Sequence, residues 1–272
     1  MAYLQNLHTH SVFCDGRDTP EQMVRTAMEK GFDSIGFSGH SYVKFSPTFQ
    51  KWGDRTAAYR AEIARLRRAY ADRIQIYCGL EAELCSDADL CGYDYLIGAS
   101  HYLMCGTEWV PFDRDLKHVE HVIDAYFGGD GMAYAKRYFE TVARLPERGS
   151  YDIVAHFDII SKHAETRALF DTEAPSYVRA GLEAIDAMAG RIPFFELNTG
   201  AMARGYRTAP YPAPVFLKEF KARGFGAVIT SDCHSAPLLD HAFADAAALL
   251  RAYGFTEKYV LTDGGFTAVP LD

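Results

Sequence analysis

Residues 4–37 read LQNLHTHSVFCDGRDTPEQMVRTAMEKGFDSIGF and predict a strand, a helix and a second strand in succession. The short apolar run at 4–8 predicts the first strand. Thr19 then takes the N-cap position of a helix, with Pro20 in the first turn and Gln22 at the capping-box position. Gly31 ends the helix, and 34–37 form the next strand.

The same alternation of strand and helix continues along the chain. Further strands are predicted at 74–80, 95–99, 152–155, 193–197, 226–230 and 258–261, and helices at 54–72, 174–189, 214–223 and 237–253, with another helix ending near 145. Residues 41–53 are predicted to be a loop, and 104–130 an irregular insertion. The alternation is typical of a parallel α/β sheet. Because the glycine motifs of dinucleotide-binding folds and P-loops are missing, the pattern favours a single barrel-like domain.

The composition excludes several classes of protein. The 272 residues are 49% hydrophobic and 24% charged, which is ordinary for a globular chain and unlike a disordered one. The formal charge of −8 argues against binding of a nucleic acid polymer or an anionic membrane, but not of a small phosphorylated metabolite. No membrane span, signal peptide or C-x-x-C pair is found, so we expect a cytoplasmic protein with reduced cysteines. The oligomeric state stays open.

Residue types that bind metal ions recur where the predicted strands end. They are His8 and His10 after the first strand, His40, Glu81, His101 and His156 after the next four, and Asp232 and His234 after the strand at 226–230. A barrel built of strands and helices gathers the carboxyl ends of all its strands at one face. Residues from both ends of the chain are therefore expected to converge there.

The spacing of these residues suits a metal centre. His8 and His10 stand two positions apart, so on an extended strand both imidazoles point the same way. Imidazoles combined with carboxylates suit Zn, Mn or Fe, and a carboxylate such as Glu81 can bridge two ions, an arrangement used for hydrolysis. The other four histidines are interpreted as surface groups, namely His118, His121, His163 and His241.

Six segments of the chain also form an ordered series. They are HTHS at 8–11 followed by Asp15-Gly16, GFSGH at 36–40, GLE at 79–81, GASH at 98–101, AHFD at 155–158 and SDCH at 231–234. The series resembles the motifs of the polymerase-and-histidinol-phosphatase (PHP) superfamily. The run Glu196-Leu197-Asn198-Thr199-Gly200 with Arg204 resembles a late segment of its histidinol-phosphatase branch.

The resemblance implies a distorted (β/α)7 TIM-like barrel over 1–272, with the insertion at 104–130 and three divalent transition-metal ions, Zn, Mn or Fe. Carried over motif by motif, one ion takes His8, His10, Glu81 and Asp232, a second shares Glu81 and takes His101 and His156, and the third takes Asp15, His40 and His234.

The resemblance further implies a metal-dependent phosphatase that hydrolyses L-histidinol phosphate, in histidine biosynthesis, by attack of a metal-bridging hydroxide. Arg204 is the first candidate for the cation that stabilises the phosphate, and Arg207, Lys162 and Asn198 are further candidates for substrate binding. Asp15, His234 or a metal-bound water is expected to protonate the leaving group.

Three other functions stay open at this point. The substrate of the same centre could be a nucleotide or phosphotyrosine, because the residues after His156 offer only Lys162 where many relatives carry an arginine. A metal-dependent amidohydrolase is disfavoured, since Glu81 rather than a lysine occupies the bridging position. A non-catalytic metal-binding or regulatory domain is expected to have lost ligands, whereas all nine expected ligands are present.

Overall fold

The computed structural model describes residues 3–271, and its main sheet is a barrel. The strands are β1 (Gln5–Asn6), β2 (Ser34–Phe37), β3 (Gln75–Glu83), β4 (Tyr95–Ala99), β5 (Tyr102–Cys105), β6 (Glu108–Pro111), β7 (Ile153–Val154), β8 (Phe194–Asn198), β9 (Gly226–Thr230), β10 (Glu257–Thr262) and β11 (Gly265–Pro270). Seven of them pair in parallel in the order β1, β2, β3, β4, β7, β8, β9. Just beyond β1 and β9, His10 N donates to Cys233 O at 2.9 Å, which joins the two edges. The expected (β/α)7 barrel is confirmed, and its being a single domain stays a prediction.

The helices connect and surround these strands. They are α1 (Pro20–Glu29), α2 (Pro47–Trp52), α3 (Thr56–Ala69), α4 (Leu116–Phe127), α5 (Gly131–Val142), α6 (Leu145–Arg148), α7 (Pro175–Met188), α8 (Gly200–Ala203), α9 (Pro214–Ala222) and α10 (Phe243–Ala252). The start of α1 is as predicted. Thr19 Oγ1 accepts from Gln22 N at 3.2 Å, and Gln22 Oε1 accepts from Thr19 N at 2.8 Å, which completes the capping box.

A tyrosine fills the inside of the barrel. The Tyr95 ring is buried, and its hydroxyl donates to Leu7 O at 2.5 Å across the strands. A Cβ atom on Gly36 would lie 2.4 Å from Tyr95 Oη, and one on Gly79 would lie 2.3 Å from Tyr95 Cζ. Glycine is therefore required at both positions, which belong to two of the segments in the ordered series.

The structure corrects four sequence-based expectations about the elements. The segment 41–53 contains α2, whose Ser46-Pro47 start is a regular helix signal. The insertion at 104–130 is ordered into the end of β5, its antiparallel partner β6 and the whole of α4. The helix predicted at 237–253 begins later, at Phe243, after a short 3-10 turn. The last strand pairs antiparallel with β11 through the two-residue turn Asp263-Gly264, outside the barrel sheet.

Within residues 3–271, no helix combines the length and the apolar character that crossing a membrane requires.

Candidate metal centre

The carboxyl ends of the barrel strands bring all nine predicted ligand residues together. Glu81, near the end of β3, is buried at the centre of the cluster. Its neighbours are His40 Nδ1 at 2.6 Å and His10 Nε2 at 3.6 Å from Oε2, and His156 Nε2 at 3.1 Å, His8 Nε2 at 3.5 Å and His101 Nε2 at 3.6 Å from Oε1. One carboxylate thus faces imidazoles that follow four different strands.

Asp15 and His234 form the outer side of the cluster. Asp15 Oδ2 lies 3.1 Å from His234 Nε2 and 3.5 Å from His40 Nε2, and Asp15 Oδ1 lies 3.4 Å from His10 Nδ1. The Asp15 side chain is 36% exposed, whereas Glu81 is 1% exposed. This side of the cluster therefore opens toward solvent.

Asp232 lies between the inner histidines and Arg204. Its Oδ1 is 3.2 Å from His10 Nε2 and 3.7 Å from His8 Nε2, and its Oδ2 accepts from Arg204 Nη2 at 2.9 Å. The backbone of Asp232 has φ 45°, in the left-handed region that non-glycine residues rarely adopt. Such strain is typical of functional sites, where the surrounding structure holds a side chain in place.

Three groups of these residues have ligand atoms within 4.8 Å of one another, so that each group could hold one metal ion. The groups are His10 with Asp15, His40 and His234; His8 with His10 and Asp232; and His40 with Glu81 and His101. They overlap with the predicted ligand sets but are not identical to them. His10 and His40 each belong to two groups, and His156 contacts Glu81 without belonging to any.

Unpaired buried atoms indicate that cations fit this site. His8 Nε2, His10 Nε2 and Glu81 Oε2 are buried and form no hydrogen bond of suitable geometry, although imidazoles and carboxylates lie close to one another here. Buried polar atoms in folded proteins are almost always satisfied, because leaving one unpaired costs free energy. Two imidazole nitrogens and a carboxylate oxygen are also the donor set that Zn, Mn and Fe prefer. The residues present therefore suit transition-metal ions.

The electrostatics of the cluster agree with this chemistry. Burial alone would lower the pKa of His8, but the carboxylates of Glu196, Asp232 and Glu81 outweigh burial and raise that pKa to about 10. Burial would raise the pKa values of Glu81 and Asp232, but nearby positive charges outweigh it and hold both values well below the usual range. The largest such contribution comes from His40 for Glu81 and from Arg204 for Asp232. The carboxylates are therefore ionised at neutral pH, and bound metal ions would take the place of the histidine protons.

Two buried carboxylates that the ligand prediction missed hold the histidines. Glu83 Oε2 lies 2.9 Å from His101 Nδ1, and Glu196 Oε2 lies 2.8 Å from His8 Nδ1. Such partners orient ligating imidazoles and fix the nitrogen that carries the proton. The sequence contains signals for both, since Glu83 stands two positions after Glu81 on the same strand, and Glu196 is a lone charge inside an apolar strand.

A cavity of about 250 Å³ lies over the cluster. Besides six of the nine ligand residues, it is lined by Arg204, Lys162, Tyr206, Asp113 and Ile159. Lys162 Nζ donates to Asp113 Oδ1 at 2.7 Å and lies 4.5 Å from the centre of the Tyr206 ring. Arg204 Nη1 donates to Asp232 O at 2.9 Å, in addition to its bond with the carboxylate. Two of the four predicted substrate-binding residues therefore face the cavity.

The other two, Arg207 and Asn198, do not line it. Arg207 Nη1 donates to Ser161 Oγ at 2.5 Å, and its guanidinium lies 4.8 Å from the centre of the Tyr211 ring. Asn198 is buried, with Nδ2 donating to Glu196 at 2.7 Å and Oδ1 accepting from Gly200 N at 2.8 Å. These contacts hold both side chains against other protein groups, and their predicted role in substrate binding stays a prediction.

The four remaining histidines lie outside the cluster, and one of them differs from its predicted exposure. His163 is buried, with Nε2 at 2.9 Å from Arg114 O, so it is not a surface group. His118 on α4 is half-buried, with Nε2 at 2.7 Å from Pro111 O. His121 is exposed, and His241 is half-buried.

Comparison with known proteins agrees with this geometry. A "Probable histidinol-phosphatase" of Deinococcus radiodurans is 26% identical over 265 residues, covering 93% of this chain and 95% of that protein. The histidinol-phosphatase of Bacillus subtilis is 26% identical over 263 residues, covering 87% and 95%. Both alignments span nearly the whole of each relative.

A solved structure shares the fold. Histidinol phosphate phosphatase from Lactococcus lactis subsp. lactis Il1403, complexed with Zn, L-histidinol and phosphate, superposes with a TM-score of 0.67 at 18% identity, covering 97% of this chain and 98% of that one. The sequence profile of the PHP domain matches residues 6–200, which include seven of the nine predicted ligand residues. This chain belongs to the PHP domain family.

Proposed function

We propose that this protein is a metal-dependent phosphomonoesterase that hydrolyses L-histidinol phosphate to L-histidinol and phosphate, a step of histidine biosynthesis. The observation that carries the proposal is the convergence of nine histidine, aspartate and glutamate side chains beneath one cavity that also contains Lys162 and Arg204. The names of the two relatives, and the histidinol and phosphate bound in the Lactococcus structure, support this choice of substrate.

Three divalent ions are proposed, with Zn, Mn and Fe as the metals. Their ligands are the three sets implied by the motifs, with Glu81 shared between two ions. When bound, such ions polarise phosphate oxygens and lower the pKa of water toward neutrality, so that hydroxide is available for attack. The nine residues present the lone pairs for these ions.

The cationic side chains have separate tasks in this proposal. Lys162 lines the cavity, where its ammonium group can contact the oxygens of a phosphate and stabilise the charge that develops on them. Arg204 donates two hydrogen bonds of 2.9 Å to Asp232, from Nη1 to the carbonyl and from Nη2 to the carboxylate, and it lines the same cavity. We propose that Arg204 contacts phosphate while it keeps Asp232 in position.

The leaving alcohol needs a proton as the ester bond breaks. Asp15 and His234 lie at the open side of the cluster, 3.1 Å apart, and both line the cavity. We propose that Asp15 and His234 would hold an ion at this side, and that water acidified by this ion would supply the proton to the leaving oxygen. The free thiols of all six cysteines and the charge of −8 favour a cytoplasmic setting and a small phosphorylated metabolite rather than a nucleic acid polymer.

A comparison of substrates tests the proposal. The purified, metal-loaded protein is assayed with L-histidinol phosphate, nucleoside monophosphates and phosphotyrosine. We expect the highest kcat/KM for histidinol phosphate, loss of activity with a chelator, recovery on addition of Zn or Mn, and little activity in His8→Ala. Preference for another ester would overturn the substrate, activity that survives both the chelator and His8→Ala would overturn the mechanism, and metal binding without any turnover would indicate a regulatory domain.

A further inference from the structure

Glu196 lies behind the metal centre and contacts groups from four parts of the barrel. The side chain is fully buried on β8, and each of its oxygens accepts two hydrogen bonds. Oε1 accepts from His156 N at 2.5 Å and from Asn198 Nδ2 at 2.7 Å. Oε2 accepts from His8 Nδ1 at 2.8 Å and from Thr230 Oγ1 at 2.9 Å. All the acceptor positions of the carboxylate are therefore occupied.

These contacts decide which nitrogen of His8 can bind a metal. An ionised carboxylate only accepts hydrogen bonds, so His8 Nδ1 must carry its proton. In the neutral imidazole, Nε2 then has the free lone pair, and this atom is buried without a partner, 3.5 Å from Glu81 and 3.7 Å from Asp232. We propose that Glu196 is the positioning residue that fixes the tautomer of His8 and thereby makes Nε2 available to one metal ion. This inference rests on the proposed metal sites.

The two sides of the carboxylate respond differently to an amide in its place. On the Oε1 side, His156 donates a backbone N–H, and Asn198 is held in its orientation because its Oδ1 accepts from Gly200 N. Neither of these two donors can become an acceptor. On the Oε2 side, the Thr230 hydroxyl can rotate and the imidazole of His8 can change tautomer. In Glu196→Gln the amide nitrogen is therefore expected to face His8 and Thr230.

This orientation has a selective consequence for metal binding. Because the amide nitrogen of the glutamine donates a hydrogen bond, His8 Nδ1 must accept it. The imidazole proton then moves to Nε2, where it blocks coordination of the metal ion. The backbone of His156 keeps its acceptor, so the ion assigned to His101 and His156 is unaffected. The substitution is expected to weaken the ion bound by His8 alone, by about 10- to 100-fold, the usual effect of removing a carboxylate that orients a metal-bound histidine.

Metal titration tests this without relying on activity. The metal-stripped wild type and Glu196→Gln are titrated with Zn in competition with a chromophoric chelator. We expect three binding events in both proteins, one of them weakened in the variant. Thr230→Val is the matched control, since it removes a neighbouring donor to Oε2 and leaves the His8 contact intact, so its affinities should match the wild type.

Two further variants show whether the effect passes through His8. His8→Ala and the double variant His8→Ala/Glu196→Gln should bind the remaining ions alike. Glu196→Asp keeps a buried carboxylate but is one methylene shorter. It should therefore fold even if Glu196→Gln does not, and it should lower the affinity for the same ion. Unchanged Zn affinities in Glu196→Gln, equal weakening of every ion, or a further loss in the double variant would overturn the inference. Failure of the wild type to bind Zn would instead overturn the proposed function.

Discussion

Lys162 is the cation of the cavity with the fewest competing contacts. Its ammonium group pairs with Asp113 and lies against the Tyr206 ring, whereas the guanidinium of Arg204 is committed to Asp232 through both terminal nitrogens. Lys162 can therefore turn toward a phosphate without releasing a predicted metal ligand. At the scale of single residues, this makes Lys162 the side chain whose removal should affect substrate binding most directly.

We predict that Lys162→Met raises KM and lowers kcat/KM for the phosphate ester by about 10- to 100-fold, because a hydrogen bond to a charged group contributes about 1.5–3 kcal/mol. Steady-state kinetics on the metal-loaded variant measures this. Arg207→Met is the informative comparison. It removes contacts with Ser161 and Asp158, so it should lower the free energy of unfolding with little change in KM. A larger rise in KM for Arg207→Met than for Lys162→Met would restore the sequence-based assignment.

The position of the predicted metal ligands could be inferred from the sequence, whereas that of the Arg207 side chain could not, and this difference has a physical explanation. His8, His10 and Asp232 could be placed from the sequence because the end of a strand fixes where a side chain lies in a barrel. Arg207 could not be placed, because a long side chain after a strand can turn toward the cavity or toward the protein, and the choice depends on Asp158 and Ser161, which come from elsewhere in the chain. Residue type predicts chemistry more reliably than it predicts direction.

At the scale of elements, the insertion forms a wall of the cavity. Phe112, between β6 and α4, is buried against Tyr134 and Tyr138 of α5, with ring centres 6.3 and 5.3 Å apart. This anchor fixes the next residue, Asp113, at the border of the 250 Å³ cavity and an adjoining cavity of about 170 Å³ that contains Phe49 and Tyr102. Several carboxylates line these two cavities. Asp113 differs from the others because it is neither a predicted metal ligand nor a hydrogen-bond partner of one.

We predict that Asp113→Asn reduces the preference for a phosphate ester that carries an ammonium group. The ratio of kcat/KM for histidinol phosphate to that for p-nitrophenyl phosphate should fall about tenfold, since a charge-assisted hydrogen bond to the amine is lost. The substitution also frees Lys162, but both substrates present the same phosphate, so this effect cancels in the ratio. An unchanged ratio, with both rates altered equally, would show that Asp113 acts only through Lys162.

Two of the segments that the sequence analysis misplaced are antiparallel strand pairs outside the barrel sheet. The barrel strands and α1 repeat a short local pattern of apolar residues and caps, which is visible without tertiary structure. The pair β5–β6 and the pair β10–β11 are antiparallel and half-buried, and each depends on a tight turn, at Gly106 and at Asp263-Gly264 respectively. Their strands are stabilised by packing against the barrel, so turn residues were the available signal.

At the scale of the whole molecule, closing the barrel concentrates charge. Residues as distant as His8 and His234 meet in a cluster where histidines are surrounded by ionised carboxylates. Without metal, the carboxylates favour protonated imidazoles, and the pKa of His8 rises to about 10 while that of His40 rises well above its usual range through Glu81 and Asp15, against the opposing effect of burial. In the unfolded chain the same imidazoles titrate near 6.5. The metal-free fold therefore binds more protons than the unfolded chain at neutral pH.

This difference predicts that stability depends on pH differently in the metal-free and the metal-loaded protein. A raised folded-state pKa contributes stability that is complete below about 6.5 and is lost as the pH rises toward 10, so the free energy of unfolding of the chelator-treated protein should fall across this range. Metal ions bind the deprotonated imidazoles, so protons compete less as the pH rises, and the loaded protein should be stabilised relative to the metal-free one. Urea unfolding at pH 6.5, 8 and 9.5, with chelator or with Zn, measures how the free energy of unfolding depends on pH in each state. In the metal-free protein, His8→Ala should make this dependence weaker. A metal-free protein whose stability rises over this range would contradict the charge balance described for the cluster.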